Sequence, residues 1–202
     1  MVLVDIGNTN IHIWIDGKTI NKKSPEKYNG RVYYISVNKE KEKIFKKLNP
    51  DAVNLEKYVL FDTAYKGLGI DRIMACKSIS DGVVVDAGSA VTIDIMQENR
   101  HLGGIIMPGI YAFKQAFGTI SEVLQFNPDI INTFYPNNTS EALNMGSVGA
   151  IKCMIEKYSQ NRKVYITGGD GEFLSRVIEN SEYIEDLVFL GMLKTIKELE
   201  KK

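Results

Sequence analysis

Long apolar runs are missing from this chain, and no window nears the roughly 18 residues that a membrane-spanning helix needs. Cysteine is scarce: Cys76 and Cys153 stand alone in 202 residues, without metal-ligand spacing or a disulfide framework. Both are expected to pack as small hydrophobes. Histidine is as scarce, and His12 on a strand with His101 in a turn makes a poor metal site and no catalytic pair. Neither sign of charge is in excess, since Lys plus Arg and Asp plus Glu number 25 each. That balance removes the general pull toward nucleic acid or anionic lipid. Low-complexity stretches and long linkers are absent, and Met1 opens onto an apolar strand rather than a charged leader. What remains is the composition of a cytoplasmic globular protein, 44% hydrophobic and 25% charged, large enough for one sizeable domain or two small ones.

The stretch that is there in place of such signals runs from Val83 to Asp94. Val83-Val84-Val85 reads as a short buried strand that carries Asp86 to its end. Gly88 then opens a tight turn into a second strand, Val91 to Met96. A carboxylate at a strand end, beside a turn with outward backbone N–H groups, suits a metal ion and a phosphate held together. The same device occurs earlier as Val2-Leu3-Val4-Asp5-Ile6-Gly7-Asn8-Thr9-Asn10, followed by the strand Ile11 to Ile15. One such turn is explained by an ordinary hairpin. Two, each behind a hydrophobic strand, point to a duplicated nucleotide-binding device, with halves at 1–80 and 81–202.

Asp16-Gly17 predicts a tight hairpin turn, residues 21–30 a loop, and Arg31 to Val37 a strand. Asn38 is placed to cap a charged helix through Leu48, with Ile44, Phe45 and Leu48 toward the core. Two glycines, Gly67 and Gly69, lead into Asp71 and Arg72, where a helix is expected to run to about Ile79. Asp71 at a helix start is accounted for by the helix dipole alone. Arg72 beside a glycine turn is an arrangement that holds carboxylate or phosphate. His101 to Gly109 predicts a third strand ending in a turn, followed by helices over 110–117 and 119–124. Asn138 with Glu141 forms a capping-box start to a long helix ending near Ser159. Along that helix Ala142, Gly146, Gly149, Ala150 and Cys153 make a small-residue stripe, expected where another element packs closely. Lys163 to Thr167 is a further strand, ending in Gly168-Gly169-Asp170-Gly171 and a helix over 172–180. Bare glycines there would let a flat ring lie against the backbone. An apolar segment at 187–190 and a C-terminal helix close the chain.

This order of motifs resembles the superfamily of acetate and sugar kinases, actin and the chaperone ATPases, and within it the type III pantothenate kinase family. The resemblance covers almost the whole chain. Asp5-Ile6-Gly7-Asn8-Thr9-Asn10 matches the first phosphate motif and Gly69-Ile70-Asp71-Arg72 the substrate signature. Asp86 to Asp94 matches the second phosphate motif, followed by Gly103-Gly104 and Pro108-Gly109. Asn138-Thr139-Ser140-Glu141-Ala142 and Thr167-Gly168-Gly169 match the later signatures, the last of them the adenosine motif. It implies an α/β fold of two duplicated ribonuclease H-like, actin-like ATPase halves, with mixed sheets flanked by helices and a nucleotide in the cleft between them. It implies phosphorylation of pantothenate to 4'-phosphopantothenate by ATP with magnesium, the first step of coenzyme A biosynthesis, in a cytoplasmic homodimer.

The residue roles follow from the resemblance too. ATP would lie over Asp5, Ile6, Gly7, Asn8, Thr9, Asn10, Ile11 and His12, with Ser89, Gly168 and Gly169 also contacting it. Asp5 would help hold magnesium through water, and Asp86 a monovalent cation, potassium or ammonium. Asp71 would be the general base. Gly69, Ile70, Arg72, Thr139 and Tyr65 would line the pantothenate site, Arg72 facing either the substrate carboxylate or the phosphoryl group. Ser89 stands where the family has threonine, which keeps the hydroxyl, and the Tyr65–Gly69 segment is shorter than in the family. Two other readings compete. One is a non-catalytic nucleotide-binding relative acting as a regulatory accessory factor, against which intact Asp71, Arg72, Asp86 and Thr139 argue. The other is an actin- or chaperone-like ATPase, which the chain length fits poorly.

Overall fold

The computed structural model describes residues 1–130 and 132–201. The chain divides into two units, Met1–Ile79 with Asp186–Lys202, and Ser80–Glu185. The sequence predicts a second half of 81–202, whereas in the structure the last helix belongs with the first unit.

In the first unit β1 (Val2–Ile6), β2 (Ile11–Ile15) and β3 (Lys18–Lys22) form an antiparallel meander, and β1 also pairs in parallel with β4 (Val32–Ser36). β5 (Val53–Asn54) completes the order β3-β2-β1-β4-β5. Asp16 and Gly17 both take positive φ, as the Asp-Gly hairpin turn demands. The period of two sorts the β1 side chains onto two buried faces. Val2, Val4 and Ile6 pack with Ile11, Ile13, Tyr34 and Phe45, the last from helix α1 (Lys39–Leu48). Leu3 lies opposite, with Tyr33, Ile35, and Ile70 and Met74 of helix α2 (Ile70–Lys77).

Asn38 caps α1 as expected, its Oδ1 accepting the Lys41 N–H at 2.9 Å, and Glu40 and Glu42 complement the dipole. Only Phe45 of its three apolar residues is buried. Ile44 and Leu48 are exposed, because a single helix on a narrow sheet presents just one row to the core.

The second unit repeats the plan. β7 (Gly82–Ala87), β8 (Ala90–Gln97) and β9 (Arg100–Pro108) form the meander, after the two-residue strand β6 (Asp62–Thr63) of the first unit. β10 (Val164–Thr167) pairs in parallel with β7, and β11 (Ser181–Tyr183) with β10. Hence β9-β8-β7-β10-β11 reproduces, strand for strand and in the same senses, the order of the first unit. Val83, Val85, Ala87, Val91 and Ile93 pack under Ile110 of helix α3 (Ile110–Ile120) and Val148, Ile151 and Ile155 of the long helix.

That helix is continuous from α4 (Thr139–Asn144) through a π-helical turn (Met145–Gly149) to α5 (Ala150–Ser159). Asn138 Oδ1 accepts the Glu141 N–H at 3.0 Å, while Glu141 reaches back to the Asn137 N–H instead of its own cap. The small-residue stripe is largely uncovered within the unit: Ala142, Gly146 and Cys153 are exposed. Cys76 is buried as expected and Cys153 is not.

Three further expectations need correcting. α3 runs unbroken to Ile120 and stops where Ser121 turns extended, so no separate helix forms over 119–124. α6 (Gly171–Ser175) is short, because the Ser181 hydroxyl caps the carbonyls of Ser175 and Ile178 and draws the chain aside. His101 lies in β9 and not in a turn, fully buried with Nε2 2.8 Å from Asp94 Oδ1. The last helix, α7 (Leu187–Leu199), includes the apolar 187–190 segment and crosses α2 where Gly191 meets the Met74 backbone with no room for a Cβ. Trp14 and Thr19 both donate to Asp186 at its start. Among the described residues no helix is long and apolar enough to cross a membrane.

Candidate active site

β1 delivers Asp5 to the edge of the first unit, one register step before the ladder closes at Ile6 and Ile11. The four residues left over, Gly7 to Asn10, must reverse the chain. A Cβ on Gly7 would stand 2.8 Å from the Asn10 carbonyl oxygen, so the turn is as tight as glycine allows. Asp5 is largely buried and shares its sheet face with Leu3, the face that α2 covers through Ile70 and Met74. His12, opposite Asp5, has its imidazole pKa lowered by burial, partly offset by the Asn21 side chain 2.6 Å away.

Asp71 stands at the second position of α2. Its Oδ1 accepts the Arg72 N–H at 2.8 Å, and a Cβ on Gly69 would lie 2.5 Å from that same oxygen. The carboxylate thus folds back over the bare backbone of Gly69. Arg72 is buried, with its guanidinium carbon 5.0 Å from the centroid of the Tyr65 ring. Tyr65, expected as a substrate contact, packs on Arg72 in this way.

In the second unit Asp86 pairs in register with Thr92 on one side and Thr167 on the other. Three glycine turns close around it. The Gly88 N–H donates to the Ala90 carbonyl at 3.0 Å. Gly109 comes against the Gly88 and Ser89 carbonyls, and its N–H donates to Ser89 O at 3.1 Å. Gly168, at φ +89°, is so close that a Cβ would stand 2.5 Å from both Ala87 O and Asp86 Oδ1. Ser89 and Gly169 are exposed at the rim. Hence Asp86, Ser89, Gly168 and Gly169 are brought together, and Asp5 with residues 6–12 forms a second group, on the unit that also carries Gly69, Ile70, Asp71, Arg72 and Tyr65. Thr139 is exposed at the first turn of α4.

Sequence reasoning left four contributors without a role. Lys41 ties the Gly7–Asn10 turn from beneath. Gly109 supports the Gly88–Ser89 turn. Burial raises the carboxyl pKa of Asp170, which fixes its turn by donating its N–H to Ala87 O at 2.9 Å. Asn144, buried in α4, accepts the Asp129 N–H and donates to Asn127 O and Ser140 O, fastening the preceding loop. Only Gly109 carried a signal, through Pro-Gly after a strand.

The donors available are oxygens, which suit hard cations. Asp5 offers a carboxylate beside the first turn. Asp86 offers a second carboxylate, packed closely against the Gly168 backbone.

Comparison with known proteins points one way. Residues 36–161 match the family model for type III pantothenate kinase. A type III pantothenate kinase of Wolinella succinogenes is 44% identical, covering 100% of this chain and 99% of its own. One of Helicobacter hepaticus is 41% identical, covering 98% of each. A solved Campylobacter jejuni chain, described as a candidate Baf family transcriptional activator, is 41% identical with a TM-score of 0.89, covering both chains fully. Spiroplasma citri MreB 5 bound to AMPPNP covers 99% of this chain at 8% identity and a TM-score of 0.51, a likeness of fold alone.

Proposed function

The chain belongs to the type III pantothenate kinase family, and we propose that it moves the γ-phosphoryl group of ATP to the hydroxyl of pantothenate, with Asp71 as base. It is a pantothenate kinase, opening coenzyme A biosynthesis with 4'-phosphopantothenate. The observation that carries this reading is the repeated strand order with an Asp-Xaa-Gly turn at the same place in each unit.

Asp71 accepts the hydroxyl proton as the oxygen attacks, for which a carboxylate oxygen must come within hydrogen-bond reach of that hydroxyl. Arg72, held by Tyr65, offers a fixed cation to a substrate carboxylate or to the phosphoryl oxygens. Thr139 offers a hydroxyl to pantothenate. The Gly7–Asn10 turn gives backbone N–H donors to phosphate, and Ser89 a hydroxyl. The bare backbone of Gly168–Gly169 takes the adenosine. Asp5 would hold magnesium through water, and Asp86 would hold potassium or ammonium. Bound magnesium supplies neutralisation of the phosphate charge.

A cytoplasmic homodimer is part of the same reading. The pairing is supported by exposed apolar surface on the second unit, where Tyr111, Ile120, Val123, Phe134 and Tyr135 face outward. The regulatory label on the Campylobacter jejuni chain leaves the kinase reading in place, since Asp71, Arg72, Asp86 and Thr139 are all intact here. Incubation of the purified protein with ATP, magnesium, potassium and pantothenate tests it. Phosphopantothenate and pantothenate-dependent ADP are expected, and a folded protein that releases neither would overturn the assignment.

A further inference from the structure

Lys41 reaches from the first turn of α1 to the turn that follows β1. Its Nζ lies 3.2 Å from Gly7 O, 2.7 Å from Asn8 O and 3.3 Å from Thr9 O. An ammonium group has three protons and no acceptor, so three successive carbonyls match its capacity. Its position is itself fixed. Asn38 Oδ1 accepts the Lys41 N–H, and Asn38 Nδ2 reaches Asn8 Oδ1 at 3.2 Å. The Ser36 hydroxyl donates to Asn38 O at 3.1 Å, and Lys23 Nζ donates to Asn10 Oδ1 at 2.6 Å.

Peptide planarity turns this into a statement about donors. In a trans peptide the carbonyl of one residue and the N–H of the next point in opposite directions, and among the described residues no peptide bond is cis. Carbonyls 7, 8 and 9 drawn toward one ammonium therefore send the N–H groups of Asn8, Thr9 and Asn10 away from it. Because the carbonyls converge, these N–H groups diverge, and they form an outward donor face for successive phosphate oxygens rather than a cradle for one. The carbonyls, which would repel an anion, are neutralised behind that face.

We infer that Lys41 is a positioning residue that orients the turn amides toward the phosphates of ATP, acting through the backbone of Gly7–Asn10 and not on the nucleotide itself. The inference rests on the reading of that turn as the phosphate turn. Nothing in the local sequence marks Lys41 out, because it sits among five lysines of a charged helix whose other members face water.

The test uses the full-length protein and three probes: magnesium tripolyphosphate, magnesium with a non-hydrolysable ATP analogue, and adenosine. In Lys41→Met, which keeps the aliphatic stem, tripolyphosphate and the analogue should bind about ten- to a hundredfold more weakly. Adenosine binding and the KM for pantothenate should not move. Lys41→Arg, which can still donate to several carbonyls, should recover most of the loss. In the ligand-free protein the amide resonances of Asn8, Thr9 and Asn10 should shift in Lys41→Met. Unshifted resonances, or equal tripolyphosphate binding by wild type and variant, would overturn the role. So would a parallel fall in adenosine affinity, which marks general loss of structure. Failure of the wild type to bind tripolyphosphate at all would instead overturn the phosphate-turn reading, and Lys41's role with it.

Discussion

Gly168 lies against Asp86 across two adjacent parallel strands, with no space for a Cβ between its backbone and the carboxylate oxygen. Its φ of +89° adds a second reason for glycine. Gly169 next to it has open space and no such backbone demand. Gly168→Ala should therefore lose about 1–3 kcal/mol of stability, from backbone strain and from displacing Asp86. Gly169→Ala should stay within about 0.5 kcal/mol and raise the KM for ATP by crowding the adenosine. Thermal denaturation with ATP titration checks both, and equal destabilisation by the two variants would refute the contrast.

Asp71 and Gly69 form a similar pair in the first unit. Asp71→Asn should keep nucleotide affinity and lose at least about a hundredfold in kcat, the contribution of a general base. Gly69→Ala should be milder in stability but costly in rate, since the new methyl group would push the carboxylate off its present position. Initial rates against binding affinities separate the two effects. Turnover near wild type in Asp71→Asn would remove that carboxylate from the chemistry.

Much of this was legible in the chain because local chemistry and tertiary need agree. The Asn38 and Asn138 caps satisfy backbone N–H groups by side chains close in sequence, and the Asp16-Gly17 turn takes the positive φ angles that its residue types allow. What was not legible depends on distant partners. His101, expected in a turn, lies buried within β9 and bonded to Asp94 of the neighbouring strand, a partner that local sequence does not reveal. α6 ends early on account of Ser181, six residues past its last turn. α7 joins the first unit because Gly191 admits the Met74 backbone, a fit that periodicity cannot reveal. The candidate site divides the same way: glycines and carboxylates announced themselves, whereas Lys41 resembled any surface lysine.

The proposed role of Asp86 in holding a monovalent cation predicts a dependence on that ion. Initial rates should rise on titration with potassium or ammonium and stay low with sodium. Asp86→Asn, which removes the charged donor but keeps an oxygen, should raise the half-activating potassium concentration by about tenfold or more. A rate indifferent to all three ions, in wild type and variant alike, would show that Asp86 serves another purpose.

Asp170 supplies a pH test with a definite sign. Burial raises its carboxyl pKa above the ordinary 3.8 of an exposed aspartate. The folded protein therefore holds this proton more readily than the unfolded chain, and folding is penalised once pH rises through the raised value and the group ionises. Asp170→Asn keeps the backbone N–H that bonds to Ala87 O and removes the charge. At pH 7 the variant should melt above wild type, and the gap should narrow as pH falls through the Asp170 titration, because both side chains are then neutral. Differential scanning calorimetry of the pair between pH 7 and pH 4 measures that gap. A gap that is constant across the range would show that folding does not shift the Asp170 titration, and a variant that melts lower at neutral pH would mean that the ionised carboxylate stabilises the turn.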